Sequence, residues 1–182
     1  MSTIGEGHDF IPLDIAVLTV SDTRKAEDDK SGNTLVARIE AAGHRVAARL
    51  ILPDERAEIA AQLRAWSRDA GIDVVISTGG TGLTGRDVTV EAHRDVYDKE
   101  IDAFSTMFTI ISMQKIGTSA VQSRATGGVA GGTYLFALPG SPGACKDGWD
   151  EILVHQLDYR HPPCNFVEIM PRLEENKRRK PS

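Results

Sequence analysis

The sequence has few cysteines, which excludes a CxxC protein and a scaffold held together by disulfides. Its two cysteines, Cys145 and Cys164, are too far apart for a CxxC pair. They are also too few for a disulfide framework, and this low cysteine content is typical of a reducing compartment. The segment HPPC, residues 161–164, offers only two potential zinc ligands, whereas a structural zinc site needs four.

Long hydrophobic runs and an excess of basic residues are also missing. No stretch approaches the roughly 20 apolar residues that a membrane span needs, and the first residues lack the pattern of a secretion signal. The net charge of -5 argues against duplex binding, because phosphate contacts require clustered Lys and Arg. The basic run at 177–180 is interpreted as a solvated terminus rather than a nucleic-acid or localisation patch. We therefore expect a cytoplasmic protein that contacts neither membrane nor nucleic acid.

The composition that is present is that of a globular protein. The chain has 182 residues, of which 41% are hydrophobic and 26% charged. This length and composition fit one domain, 1–182, that is large enough to bury a sizeable core.

Strand and helix patterns alternate along the chain. Short apolar runs at 14–20, 44–52, 73–77 and 134–138 predict strands. Between and after them, apolar residues recur at helical spacing from Ser31, from Pro53, over 89–97, over 101–115 and in a last helix. The glycine-rich segment 123–133 is compatible with either a loop or a hairpin. This order predicts a three-layer α/β/α fold, with a mostly parallel sheet and helices on both of its faces.

Three loops of similar chemistry follow predicted strands, at 19–22, 77–82 and 138–143. Each places glycines or small hydroxyl residues where the ligands of parallel sheets bind, beyond the carboxyl ends of the strands. Two of the loops open towards helices, whose free N–H groups favour anions. The three loops together predict a phosphate-bearing ligand.

The central loop, STGGTGLTGRDVT at 77–89, matches neither of the two common nucleotide motifs fully. Gly80, Gly82 and Gly85 spell G-x-G-x-x-G, but the acidic residues about twenty positions further on, Glu100 and Asp102, fall in a predicted helical pattern rather than at the end of a strand. A P-loop would require Lys followed by Ser or Thr, where this chain has Arg86 and Asp87. The motif therefore indicates close backbone approach to a ligand without identifying the ligand.

Two aspartates are candidates for metal binding. A carboxylate beside a phosphate-binding loop repels the ligand unless a cation lies between them, so Asp87 is interpreted as a ligand of Mg²⁺. The alternative is that Asp87 favours the dipole of the following helix. For Asp54, in LPDE, the residue pattern alone slightly favours an N-cap of the next helix over a role in the site.

A family resemblance adds to these patterns. The segments LTVSD, LPDE, STGGTGLTGRDVTVEA, SRATGG and LPGSPGAC occur in one order over about residues 12–168. Together they resemble the molybdenum cofactor biosynthesis family, which includes MogA and MoaB. The ending QLDYRHPPCNF is more similar to the MoaB branch.

The resemblance implies a molybdopterin-binding domain with a core at about 12–168 and flexible tails. It also implies a homo-trimer or a hexamer of two trimers. Active members transfer AMP from Mg-ATP to the terminal phosphate of molybdopterin. The functional aspartates correspond to Asp54 and Asp87, which would hold Mg²⁺. The implied ligand-binding residues are Ser21, Asp22, Thr78, Gly79, Gly80, Thr81, Gly82, Ser123, Arg124, Gly140 and Ser141.

Alternative functions remain open from the sequence. One is a molybdopterin carrier without catalysis, and another is a nucleotide-cleaving domain similar to that of competence-damage proteins. Attack on an α-phosphate needs positioned anions and neutralised charge rather than a nucleophilic side chain, which agrees with this sequence. A lowered pKa and a reactive role for Cys145 are the less favoured interpretation. Arg124 is compatible with a phosphate contact and, nearly equally, with a surface position.

Overall fold

The computed structural model describes residues 7–178, in which six strands form one sheet. In the order β2-β1-β3-β6, the first four strands of the sheet run parallel to one another. Strands β5 and β4 complete the sheet in antiparallel orientation. The strands are β1 (Asp14–Val20), β2 (Arg45–Leu52), β3 (Val74–Thr78), β4 (Lys99–Glu100), β5 (Thr126–Ala130) and β6 (Thr133–Leu138).

Helices connect the strands and cover both faces of the sheet. They are α1 (Lys30–Ala41), α2 (Arg56–Trp66), α3 (Thr89–Arg94), α4 (Asp102–Ile116), α5 (Pro142–Gly148), α6 (Val154–Gln156), α7 (Phe166–Ile169) and α8 (Glu175–Arg178). A π-helical turn, Trp149–Leu153, joins α5 to α6. Among the residues described, no helix combines the length and apolar character that a membrane crossing requires.

Two hydrophobic clusters lie on opposite faces of the sheet, as the alternation of side chains along β1 requires. Ile15 and Val17 belong to one cluster, which includes residues of α1, α4 and α5. Ala16 and Leu18 belong to the other, which includes residues of α2 and α3. The predicted three-layer α/β/α fold is therefore confirmed.

Local contacts explain where α1 begins and ends. The Asp29 side chain accepts a hydrogen bond from Gly32 N at 2.9 Å, which satisfies a free donor of the first turn. Gly43, with a φ of 88°, follows the last turn. The helix starts one residue before the predicted Ser31.

The glycine-rich segment forms a hairpin of β5 and β6, the second of the two possibilities left open. A Cβ on Gly127 would lie 2.9 Å from Phe136 Cδ1, and one on Gly128 would collide with Tyr97. These two glycines therefore permit close packing of the strand and do not form a ligand loop.

Candidate active site

A cleft of about 390 Å³ opens at the carboxyl ends of β1, β3 and β6. Strands β1 and β3 are neighbours with connections that run in opposite directions along the sheet, so the cleft lies at the topological switch point. The lining residues that the sequence predicted are Ser21, Asp54, Gly79, Gly80, Thr81, Gly82, Asp87, Ser123 and Gly140. Three loops that are distant in sequence thus meet at one place.

The glycines of the central loop are required by close approach to other groups. Gly79 and Gly80 have positive φ values of 96° and 62°, which favour glycine. A Cβ on Gly79 would collide with the carbonyl oxygen of Val20, and one on Gly80 would lie 2.5 Å from Asp54 Oδ1. The loop backbone therefore packs closely against the end of β1 and against the carboxylate of Asp54.

Asp54 is held by the loop after β1. Asp22 N donates to Asp54 Oδ2 at 3.1 Å, and Asp54 N donates to Asp22 Oδ1 at 3.0 Å. The N-cap of α2 is Glu55, and it makes no side-chain capping bond. The prediction that Asp54 caps this helix is wrong, because its carboxylate accepts from the neighbouring loop instead.

The electrostatic environment of Asp54 favours a cation. Burial raises the pKa of Asp54 above its usual value, and the negative charges of Asp22 and Asp87 raise it further. A divalent cation would offset this repulsion, since an opposite charge stabilises the ionised carboxylate.

Asp87 lies on the same cleft in a different environment. Its carboxylate accepts from Thr84 N at 2.8 Å and from Thr84 Oγ1 at 2.7 Å. Burial acts to raise the pKa of Asp87, but the hydrogen bonds from Thr84 and from the Gly82 backbone outweigh it and keep the pKa low. The N-cap of α3 is Val88, so Asp87 directly precedes this helix, and the alternative that its charge favours the helix dipole stays open.

Two arginines near the cleft are bound to carboxylates of the protein. Arg124 Nε donates to the carbonyl oxygens of Thr81 at 2.9 Å and Gly82 at 3.1 Å, and its two other nitrogens contact Glu91. Arg86 contacts Asp22 and Glu55. Arg124 therefore supports the glycine loop from outside the cleft lining.

Other predicted residues shape the loops. Ser21 Oγ accepts from Arg24 N at 3.2 Å, and Thr78 Oγ1 donates to Pro139 O at 3.1 Å. Ser141 caps α5 by accepting from Ala144 N at 3.1 Å. Thr78, Asp22, Arg124 and Ser141 do not line the cleft.

The cleft also contains four residues that were not predicted individually. Val20 and Pro139 lie within the predicted loops 19–22 and 138–143, whereas Arg24 and Gln122 lie outside them. Arg24 follows the LTVSD segment by two positions, and this proximity is the one signal that indicated it.

Cys145 is buried beneath the cleft. Its sulfur lies 3.2 Å from Thr78 Oγ1. Burial raises the pKa of the thiol to about 11, which is opposite to the lowered pKa considered for a reactive cysteine.

The donor set fits a cation that is shared with a phosphate ligand. Within residues 7–178, no group of three or more His, Cys, Asp or Glu side chains could hold a metal. Mg²⁺ commonly takes only one or two carboxylates together with substrate phosphates and water. Asp54 and Asp87 line the same cleft as the glycine loop, and two carboxylates meet that smaller requirement.

The fold and the cleft define an open α/β-sheet protein with a glycine-lined acidic cleft at its switch point. The family model described as "Probable molybdopterin binding domain" matches residues 16–159. This protein therefore belongs to the molybdenum cofactor biosynthesis family of MoaB and MogA.

Individual relatives agree with this assignment. The chain is 46% identical over 158 residues to molybdenum cofactor biosynthesis protein B of Escherichia coli K12, covering 87% of this chain and 93% of that protein. A crystal structure of a molybdenum cofactor biosynthesis protein B has a TM-score of 0.81 at 36% identity, covering 91% of this chain and 98% of the other. The tungsten cofactor synthesizing protein MoaB of Pyrococcus furiosus has a TM-score of 0.69 at 35% identity, with coverage of 78% and 91%.

Proposed function

We propose that this protein transfers AMP from Mg-ATP to the terminal phosphate of molybdopterin and releases pyrophosphate. The observation that carries the proposal is the meeting of Asp54 and Asp87 on one glycine-lined cleft. Carboxylates in that position repel a phosphate ligand unless they hold a cation. Membership of the molybdenum cofactor biosynthesis family supports molybdopterin as the acceptor.

Each part of the cleft has a role in the proposed reaction. Asp54 and Asp87 hold Mg²⁺, which neutralises charge on the phosphates when it is bound. The backbone of 79–82 orients the nucleotide, and supported amides of this kind need little reorganisation during reaction. A phosphate oxygen of molybdopterin forms a bond to the α-phosphorus of ATP, while the bond to pyrophosphate breaks and its electron pair leaves with pyrophosphate. We place this reaction in the cytoplasm.

Removal of one carboxylate charge tests the proposal. In Asp54→Asn and Asp87→Asn, AMP transfer should fall at least about tenfold, because each change removes a ligand charge from the metal site. Asp95→Asn is the matched control, since Asp95 pairs with Arg56 on the exposed surface. Transfer would be measured with Mg-ATP and molybdopterin, and melting temperature would verify folding. Wild-type rates in either site variant would remove the proposed metal role.

Binding measurements separate catalysis from the alternatives. Isothermal titration that detects molybdopterin but no Mg-ATP would favour a carrier. Nucleotide cleavage in the absence of pterin, with release of phosphate or ADP-ribose, would favour the nucleotide-cleaving alternative. Binding of both substrates is the expected result.

We also propose that the protein assembles as a trimer or as a hexamer of two trimers. One face of α4 exposes large apolar side chains at three-residue spacing. These are Met107, Ile110, Met113 and Ile116, with exposures of 47%, 50%, 59% and 53%. Such a contiguous apolar stripe is typical of an interface.

In sedimentation, Ile110→Glu should shift the assembly towards monomer, whereas Ile169→Glu, at a 46% exposed site on α7, should not.

A further inference from the structure

We propose that Arg24 binds the terminal phosphate of the acceptor ligand and thereby forms a phosphate subsite that uses a guanidinium rather than the two carboxylates. The identity of the ligand rests on the proposed function, whereas the anion site rests on Arg24 itself. Arg24 is half-buried and lines the cleft beside Gly140. Among the residues described, it is the one positively charged side chain in the cleft lining.

The partners of Arg24 distinguish it from the neighbouring arginines. Arg24 Nη1 donates to Ser31 Oγ at 2.6 Å, and Arg24 Nη2 donates to Gly140 O at 2.7 Å. Both acceptors are uncharged. Arg86 and Arg124, in contrast, are each bound to carboxylates. Within residues 7–178, Arg24 has no ion-pair partner.

The remaining donors of Arg24 suit a phosphate. A guanidinium carries five N–H groups in a planar fork, of which the two contacts above use two. These contacts also fix the side chain, which reduces the entropy lost when a ligand binds. Ser31 Oγ in turn donates to Asp29 at 3.3 Å, but that carboxylate pairs with Arg49. A half-buried positive charge with no direct carboxylate partner among the described residues is stabilised by an anionic ligand through charge-assisted hydrogen bonds.

Arg24 and the two carboxylates contact different glycines of the cleft lining. Asp54 lies against Gly80, and Asp87 lies against Gly82. The nearest Arg24 atom, Nη2, is 3.8 Å from the position of a Cβ on Gly140. A metal-bound nucleotide suits the carboxylates, and a phosphate monoester without a metal suits Arg24. Arg24 should therefore discriminate between molybdopterin and its dephosphorylated form.

Inorganic pyrophosphate tests the subsite without depending on catalysis. In EDTA without added Mg²⁺, titration followed by ³¹P NMR should show binding to the wild type. Arg24→Gln should raise the Kd at least about tenfold, because it removes the charge that assists the hydrogen bonds. Arg24→Lys, which keeps the charge without the fork, should be intermediate. The matched control is Arg38→Gln, because Arg38 is also partly buried but pairs with Asp150.

A second titration uses molybdopterin with and without its phosphate. The wild type should favour the phosphorylated form, and Arg24→Gln should lose that preference while its affinity for the dephosphorylated form stays the same. Equal pyrophosphate affinity in the wild type and Arg24→Gln, or no pyrophosphate binding at all, would overturn the subsite. So would an equal loss of both pterin forms, which indicates that Arg24 only supports the loop at Gly140. If neither pterin form binds but pyrophosphate binding depends on Arg24, the proposed function fails and the subsite stands.

Discussion

The two ends of the sheet both carry clefts, and the larger cleft is not the candidate active site. At the amino end of β3 and β6, a cleft of about 560 Å³ is lined by charged residues of both signs. Two of them, Glu174 and Lys177, form an ion pair with each other. The cleft at the carboxyl end is about 390 Å³ and places two carboxylates beside bare backbone. The chemistry of the lining, rather than the volume, therefore identifies the candidate site.

The largest expected difference between the two ends concerns glycine replacement. A Cβ on Gly82 would lie 2.7 Å from Asp87 Oδ2, whereas the nearest atom to a Cβ on Gly132, at the amino end, is 3.9 Å away. Gly82→Val should raise the Kd for molybdopterin at least about 100-fold, because it displaces the carboxylate and fills the cleft. Gly132→Val should leave the Kd unchanged. Isothermal titration and melting curves would measure both effects, and an unchanged Kd in Gly82→Val would contradict the role of the glycine loop.

The second difference concerns acid sensitivity. His93 is buried against Ser77, just before the glycine loop, with Nε2 2.8 Å from Ser77 Oγ. Burial lowers the pKa of His93 to about 3, compared with about 6.5 in an unfolded chain. The unfolded chain therefore takes up the proton first, and the free energy of unfolding should fall by about 1.4 kcal/mol per pH unit as pH drops below about 6.5.

The amino end should respond to acid through different groups. Burial also lowers the pKa of His44, whose Nδ1 accepts from Leu13 N at 3.1 Å. The hydrogen bond from Arg45 lowers the pKa of Asp14 against the opposing effect of burial, so this pair loses stability only when pH falls below the usual range of Asp. Urea unfolding at pH 7, 6 and 5 would compare the wild type with His93→Gln. The variant should show the smaller dependence on pH, and equal slopes would remove His93 as the cause.

The smallest expected difference concerns two buried threonines. Thr89 Oγ1, beside Gly80, is buried and has no hydrogen-bond partner among residues 7–178, whereas Thr133 Oγ1 donates to Ile72 O at 3.1 Å at the amino end. Thr133→Val should lower the free energy of unfolding by about 1 kcal/mol, because it leaves a carbonyl unpaired. Thr89→Val should leave it unchanged or raise it slightly. Chemical denaturation measures both, and a larger loss in Thr89→Val would show that its hydroxyl is satisfied in solution.

Local patterns predicted most of the fold. The run at 14–20 gave β1 with its observed bounds, and Phe104 and Phe108 are buried on α4 as their spacing indicated. The hairpin at β5 and β6 remained open, because its glycines fit a ligand loop as well as a tightly packed strand. Two side chains decide between these possibilities: Tyr97, which is distant in sequence from the glycines, and Phe136, which lies on the other strand of the hairpin.

The candidate site was less predictable than the fold. Asp54 has the sequence context of a helix cap, yet its carboxylate accepts from Asp22, 32 residues away. No local sequence pattern around Arg24 or Arg124 shows whether its guanidinium pairs with a carboxylate. Only their tertiary partners, Gly140 and Glu91, show which arginine retains donors for a ligand.

The sequence by itself determined the alternation of strand and helix, the family and the loops that meet at the carboxyl edge. Hydrophobic periodicity and glycine content are local properties, so they can be recognised without a structure. The tertiary structure alone decided which charges compensate one another. Charge compensation depends on distances between side chains that are far apart in the chain, and those distances exist only after the sheet has formed.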